Sequence, residues 1–286
     1  MTCDNVGKVR AVAVLSSLSP DRPLVLVGAG KMGGAMLAGW LDAGLAPDAV
    51  VAIDPAPPAD TAALLAANGI AARGDVPAVS ARVLVVAVKP QAMGDVLPGL
   101  APLVAPDTIV LSIAAGKTIA SLEAAFPGVA VVRTIPNTPA QVGRGMTAAV
   151  ANGRVTGADR DLVTALLAAV GDVAWLDDEA LIDVATAISG SGPAYVFHFV
   201  ECLAAAGEAL GLPPELAARF ARATVEGAGE LLHQSDLPPA QLRRNVTSPG
   251  GTTAAALAVF TEGDALATLV TAAARAARRR SEELSG

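Results

Sequence analysis

Two glycine-rich stretches of this 286-residue chain carry the residue types that chemistry on small anions requires. Gly28-Ala29-Gly30-Lys31-Met32-Gly33 follows the apolar run Leu24 to Val27 directly and opens a helical stretch. In that setting Gly28 permits a tight turn, Gly30 lets the backbone approach a pyrophosphate, and Gly33 allows close packing of the next helix. The free N–H groups and dipole of that helix attract the anion. Together these features predict a dinucleotide site. Much later, Val246-Thr247-Ser248-Pro249-Gly250-Gly251-Thr252-Thr253 sets glycines and hydroxyls ahead of an apolar helical run reaching Phe260. Unpaired N–H groups there can hold a small carboxylate, and a threonine hydroxyl offers both a donor and an acceptor. Taken in isolation, the same residues fit an ordinary capped helix after a glycine turn more simply.

Asp54 ends the second strand candidate, past Gly33 at the spacing of a ribose-binding acid. A carboxylate there hydrogen-bonds the ribose hydroxyls of NAD but repels a 2′-phosphate, and no Lys or Arg lies between it and Arg73. The plainer alternative is that Asp54 merely ends a strand before Pro55. Three further motifs follow strand candidates: Val88-Lys89-Pro90-Gln91, Ala114-Ala115-Gly116 and Pro136-Asn137-Thr138-Pro139. Each could be an ordinary strand-to-helix turn; jointly they would surround a crevice at the carboxyl edge of a parallel sheet. Val88, Lys89, Pro90, Ala114, Gly116 and Asn137 therefore join Gly28, Gly30, Lys31, Met32, Gly33 and Asp54 as candidate cofactor residues.

No Ser/His/Asp, Cys/His or metal constellation can be assembled from this sequence. Its two histidines, His198 and His233, lie in apolar helical stretches and read as structural. Asp177, Asp178 and Glu179 read as a solvated acidic helix start. Chemistry must then come from a bound cofactor, which the protein orients.

The elements that must position these residues follow from periodicity. Short β-branched runs alternate with alanine-rich helical stretches from Leu24 to about Leu176, predicting a doubly wound parallel sheet. Strand candidates are Leu24 to Val27, Val50 to Ile53, Val83 to Val88, Ile109 to Ile113, Val129 to Arg133, Met146 to Val150 and Val173 to Leu176. Gly34 to Ala43 and Thr61 to Ala67 read as helices, the second closed by a left-handed cap at Asn68-Gly69. From Glu179 onward only helices are expected. The predicted organisation is a loose leader over 1–22, a dinucleotide-binding domain of Rossmann type over 23–177 and a helical domain over 178–286. Arg275, Arg278, Arg279 and Arg280 would sit in the last turns of the final helix, where cations complement its dipole.

Composition excludes several function classes. Lys plus Arg number 20 against 27 Asp plus Glu, and the net charge of −7 would repel nucleic acid. Although 53% of residues are hydrophobic, no run reaches the ~18 uninterrupted apolar residues of a spanning helix. The reading is therefore of a soluble chain with no membrane partner. Cys3 and Cys202 match neither a disulfide framework nor a metal site, which suits the reducing cytoplasm. Lys8 and Arg10 before Ala11 to Leu18 mimic a signal peptide, but Ser16 and Ser17 break the run and no cleavage site follows.

The ordered set Gly28 to Gly33, Val88 to Gln91, Ser112-Ile113-Ala114-Ala115-Gly116, Arg133 through Pro136-Asn137-Thr138-Pro139-Ala140, Ser189-Gly190-Ser191-Gly192-Pro193-Ala194-Tyr195 and Ser248 to Thr253 resembles the pyrroline-5-carboxylate reductase family. The resemblance runs from about Leu24 to Glu283, and Ser248 to Thr253 is its most specific part. It implies reduction of 1-pyrroline-5-carboxylate to L-proline, the last step of proline biosynthesis, by NADPH or NADH. It also implies a substrate site at Val246, Ser248, Gly250, Gly251, Thr252 and Thr253, with the carboxylate on backbone N–H groups and the Thr253 hydroxyl on the ring nitrogen. It implies a homo-oligomer too: helical halves interlocked as a dimer, with dimers assembling into larger rings, a decamer among them. Asp54 departs from the hydroxyl or amide that NADPH-using members place there; it favours NADH and leaves dual use open. Asp236 stands where relatives often carry Glu and has no assigned role. Two alternatives stay open: another imine or β-hydroxyacid reductase on the same plan, with a catalytic Lys, Asp or Tyr in the helical half, where Tyr195 is the lone tyrosine, and a non-catalytic dinucleotide sensor.

Overall fold

A computed structural model of the protein describes residues 14–114 and 116–285. Cys3, Lys8, Arg10 and Ala115, which entered the sequence reading, lie outside the described residues. The strands are Leu24–Val27 (β1), Val50–Ile53 (β2), Ala72–Arg73 (β3), Val83–Val86 (β4), Ile109–Ser112 (β5), Ala130–Ile135 (β6), Gly145–Ala151 (β7) and Gly171–Trp175 (β8). They form one sheet in the order β3-β2-β1-β4-β5-β6-β7-β8. Its helices are Lys31–Asp42 (α1), Ala59–Ala67 (α2), Met93–Val96 (α3), Ile119–Ala125 (α4), Gly157–Ala168 (α5) and Leu181–Ala185 (α6).

The strands read as unbroken apolar runs because both faces of the sheet are covered. Leu24, Leu26, Val83 and Val85 pack with Met36, Leu37 and Trp40 of α1 and Leu162, Leu166 and Leu167 of α5. The alternate residues Val25, Val27, Leu84 and Val86 pack on the other face with Met93, Leu100, Leu122 and Phe126. This period of two sends successive side chains to opposite faces. The Trp40 indole N–H donates to Leu166 O at 2.8 Å, which satisfies the one polar atom of a fully buried ring.

Four features of the first unit differ from expectation. The sheet is parallel except between β6 and β7, which pair antiparallel. Residues 136–144 join them, fewer than the roughly dozen that a parallel crossover needs. The two-residue strand β3 was too short to show as a periodic run; it pairs with β2, placing Arg73 opposite Ile53. The described part of the 1–22 segment is not loose: Leu15 and Leu18 are buried in the main core, and Arg22 pairs with Asp107 at 2.6 Å. Burial of each leucine contributes about 1.5–3 kcal/mol, which holds the segment down. Glu179 is not a solvated helix start either; it pairs with the buried Arg133.

The chain divides into two compact units after Gly190 rather than after 177. Residues 179–190 stay with the first unit because Ile182 packs with Ile135, Ala148 and Val150. The final turns from Arg278 also count in the first unit. The second unit holds Gly192–Ala209 (α7), Pro214–Gln234 (α8), Pro239–Asn245 (α9), Thr252–Thr261 (α10) and most of Ala265–Ser285 (α11). Helices α7 and α8 approach closely through small residues: a Cβ on Gly207 would lie 3.2 Å from Ala217 Cβ. Much apolar surface stays uncovered in a single chain, including Phe197 and Phe199 on α7 and Val259 and Leu269 on α10 and α11.

Residues 252–284 reach the length and apolarity of a membrane-crossing helix, contrary to expectation. Thr261-Glu262-Gly263-Asp264 interrupts the stretch, so no unbroken apolar run marks it in the sequence. The stretch is bent at Gly263 and Asp264, whose φ values are +56° and +55°.

Candidate functional site

The first cluster sits at the carboxyl ends of β1 and β4, where the strand order reverses and open α/β sheets bind ligands. Gly28 has φ +89°, and a Cβ there would lie 2.8 Å from Ala87 O on the neighbouring strand's exit. A Cβ on Gly33 would collide with Gly28 O. These two glycines let helix, turn and strand close together. Gly30 is different: nothing lies within 4 Å of its Cβ position. It is the N-cap of α1, with no capping side chain and no acidic residue in the first turn. An open, unfilled cradle at a positive helix end fits a dinucleotide pyrophosphate.

The remaining candidates fall around this crevice or behind it. Lys31 is exposed at the first turn of α1, while Met32 is half-buried against the core. Lys89 is exposed and caps a short turn beginning at Pro90, and Val88 packs inward. Ala114 is buried, and Gly116 has φ +71°. Asp54 turns back on the glycine loop: Ala29 N–H donates to its Oδ2 at 2.7 Å and Ala56 N–H to its Oδ1 at 2.9 Å. Asn137 is committed elsewhere. Its Nδ2 donates to Ser189 O at 3.2 Å and Ser189 Oγ at 3.1 Å, and its Oδ1 accepts from Met146 N–H at 2.9 Å. It braces the 189–193 glycine stretch instead of reaching into the crevice.

Arg73, in the sequence only the first cation after Asp54, is brought back to the crevice by the fold. Register puts it beside the end of β2, next to Asp54, with its guanidinium 2.8 Å from Asp75. That ion pair holds the Arg73 pKa above, and the Asp75 pKa below, the usual values. Only the two-residue pairing of β3 reveals its position.

In the second unit, α9 ends at Asn245 and the chain turns through Gly250, with φ +68°, into α10. Gly251 is the N-cap of α10, again with no capping side chain and no acid in the first turn. Its own N–H donates to Ser248 O at 3.1 Å, which tightens the turn. Val246, Ser248, Thr252 and Thr253 are exposed, so the mouth of the helix is not plugged by side chains. Thr118 caps α4 and Thr156 with Asp159 forms a capping box on α5, whereas α7 and α9, like α1 and α10, start with neither a capping side chain nor an acid in the first turn; what sets α1 and α10 apart is the glycine at the N-cap. His198 is exposed on α7, bonded to Glu201 at 2.8 Å. No metal-holding group of His, Cys, Asp or Glu occurs among the described residues.

Residues 179–284 match the family described as pyrroline-5-carboxylate reductase dimerisation. Residues 23–116 match the family described as NADP oxidoreductase, coenzyme F420-dependent. The pyrroline-5-carboxylate reductase of Pseudomonas aeruginosa is 42% identical, over 92% of this chain and 96% of its own length. The pyrroline-5-carboxylate reductase of Coxiella burnetii superposes with a TM-score of 0.85 at 33% identity, covering 93% of this chain and 99% of that one. The pyrroline carboxylate reductase of Plasmodium falciparum, solved with NADP bound, gives a TM-score of 0.76 at 29% identity, covering 94% and 100%.

Proposed function

The chain belongs to the pyrroline-5-carboxylate reductase family, and on that premise we propose how its residues carry the NAD(P)H-dependent reduction of 1-pyrroline-5-carboxylate to L-proline. One observation supports the assignment above the rest. Each unit contains a helix that starts on a bare glycine, Gly30 or Gly251, with neither a capping side chain nor an acid in its first turn. With no side chain over them and a positive helix end behind them, such N–H groups are open to an anion.

Gly28, Gly30 and Gly33 with the first turn of α1 hold the pyrophosphate, and the Val88-Lys89-Pro90 and Ala114-to-Gly116 segments border the crevice. Bound NADH or NADPH supplies the hydride. Asp54 favours a free ribose, while Arg73 offers a cation close by for a 2′-phosphate, which supports use of both cofactors. At the second site, N–H groups of Thr252 and Thr253 with the Gly250-Gly251 turn hold the substrate carboxylate. The Thr253 hydroxyl then lies one residue into the helix, free to hydrogen-bond the ring nitrogen and fix the imine's orientation. A protonated imine is already electrophilic, so positioning does most of the work and no strong acid is needed.

The exposed apolar faces of α7, α10 and α11 support association of two chains through the second unit, matching the dimerisation family over 179–284. The same association covers the apolar stretch 252–284, so that no membrane is required. Larger rings, a decamer among them, and a cytoplasmic location complete the reading. Incubation with 1-pyrroline-5-carboxylate and each reduced cofactor tests it. L-proline should form in step with cofactor oxidation, and no proline with either cofactor overturns it.

A further inference from the structure

A buried polar cluster near the carboxyl edge of the sheet joins the C-terminus of the chain to the loop between β5 and α4. Arg133, on β6, is 3% exposed, and its Nη1 donates to Glu179 Oε1 at 2.7 Å. The same Glu179 oxygen accepts from Ile119 N–H, the first amide of α4, at 2.8 Å. Arg133 Nη2 lies 4.0 Å from Asp183 Oδ1, and that oxygen accepts from the Ser281 hydroxyl of α11 at 2.6 Å. Asp183 and Ser281 are themselves buried, at 9% and 8% exposure. One turn further, the backbone of Leu284 lies against Gly116: a Cβ there would sit 2.8 Å from Leu284 O.

The loop is thus gripped at two points. Glu179 holds its far end at Ile119, and Leu284 bears on its middle at Gly116. Both grips run back to the Arg133–Asp183–Ser281 cluster. Hydrogen bonds to buried charges are strong and expensive to leave unmade, so this arrangement holds residues 116–119 in place. We propose that the last turns of α11, through Ser281 and Leu284, are a positioning element for residues 116–119, between β5 and α4, and so set the affinity for the dinucleotide. The inference rests on the reading that this loop borders the cofactor crevice.

The test uses the full-length protein, with NADPH affinity measured by titration calorimetry and loop order by amide hydrogen exchange. Ser281→Ala should weaken NADPH binding about tenfold. It should also speed exchange over 116–119 while leaving the KM for 1-pyrroline-5-carboxylate unchanged. Ser281→Thr keeps the hydroxyl and should restore both readouts. Asp159→Asn, which loosens the same unit at the sheet's other end, should leave NADPH affinity unchanged. Were Ser281→Ala to fail to fold, truncation after Glu283 would decide, a several-fold weakening supporting the proposal and an unchanged affinity overturning it. Unchanged affinity and exchange in Ser281→Ala also overturn it. In that event Gly116→Val separates the causes: if it weakens NADPH binding, the cofactor loop stands and only the C-terminal grip falls, whereas if it does not, both fall.

Discussion

The carboxylate of Asp54 does not simply await a ribose; it accepts the Ala29 N–H at 2.7 Å and so ties the end of β2 to the glycine loop of β1. A fixed negative charge therefore stands at the rim of the crevice, beside the Arg73–Asp75 pair. A unit charge a few ångströms from a 2′-phosphate is worth about 1–4 kcal/mol between water and a protein surface. Asp54→Asn should accordingly raise the NADPH-over-NADH ratio of kcat/KM by about tenfold. Arg73→Ala should lower the same ratio. Paired kinetics with the two cofactors read both effects.

Gly30 separates binding from folding. Its φ of −66° suits any residue, and its Cβ direction is empty. Gly30→Val should leave the thermal midpoint within a few degrees while raising the KM for either cofactor by about tenfold or more. Gly33→Ala, whose Cβ meets Gly28 O, should instead lower the midpoint.

Thr253 and Tyr195 compete for the role beside the imine. Thr253→Ala should lower kcat by about 10- to 100-fold, the worth of one hydrogen bond to a charged group, with cofactor affinity unchanged. Thr253→Ser should recover most of it. Tyr195→Phe should cost less; the reverse ranking would favour a tyrosine-dependent reductase.

Stability should depend on acid through Asp159. Burial pushes its carboxyl up, but hydrogen bonds from Arg82 and Thr156 outweigh this and hold it below its ordinary value of 3.8. A carboxylate depressed in the folded state stabilises fully above 3.8 and loses that contribution as pH falls through its folded value. Asp159→Asn, which also breaks the α5 capping box and the Arg82 bridge, should cost about 1–2 kcal/mol at pH 7. The gap between wild type and variant should close below pH 3.8. Urea unfolding at several pH values measures it.

The parts of this fold set by local pattern were legible in the sequence. The runs at Leu24, Val83 and Ile109 became buried strands, and Gly28-to-Gly33 became a strand-to-helix turn. What escaped depended on distant partners. Glu179 reads as surface until Arg133, far back in the sequence, folds against it. Asn137 sits at a strand end facing the crevice in sequence terms, yet Ser189 claims its amide. Leu15 and Leu18 lacked any period but found space beside the main core. The antiparallel turn into β7 was available from the shortness of 136–144 and was passed over.

The account stands on the open amides of Thr252 and Thr253, after the Gly251 N-cap, gripping a carboxylate, and the most direct measurement compares 1-pyrroline-5-carboxylate with 1-pyrroline, which lacks that group. Two or three hydrogen bonds to a charge predict a kcat/KM about 100- to 1,000-fold lower for 1-pyrroline at equal cofactor. Equal values for the two imines would contradict it.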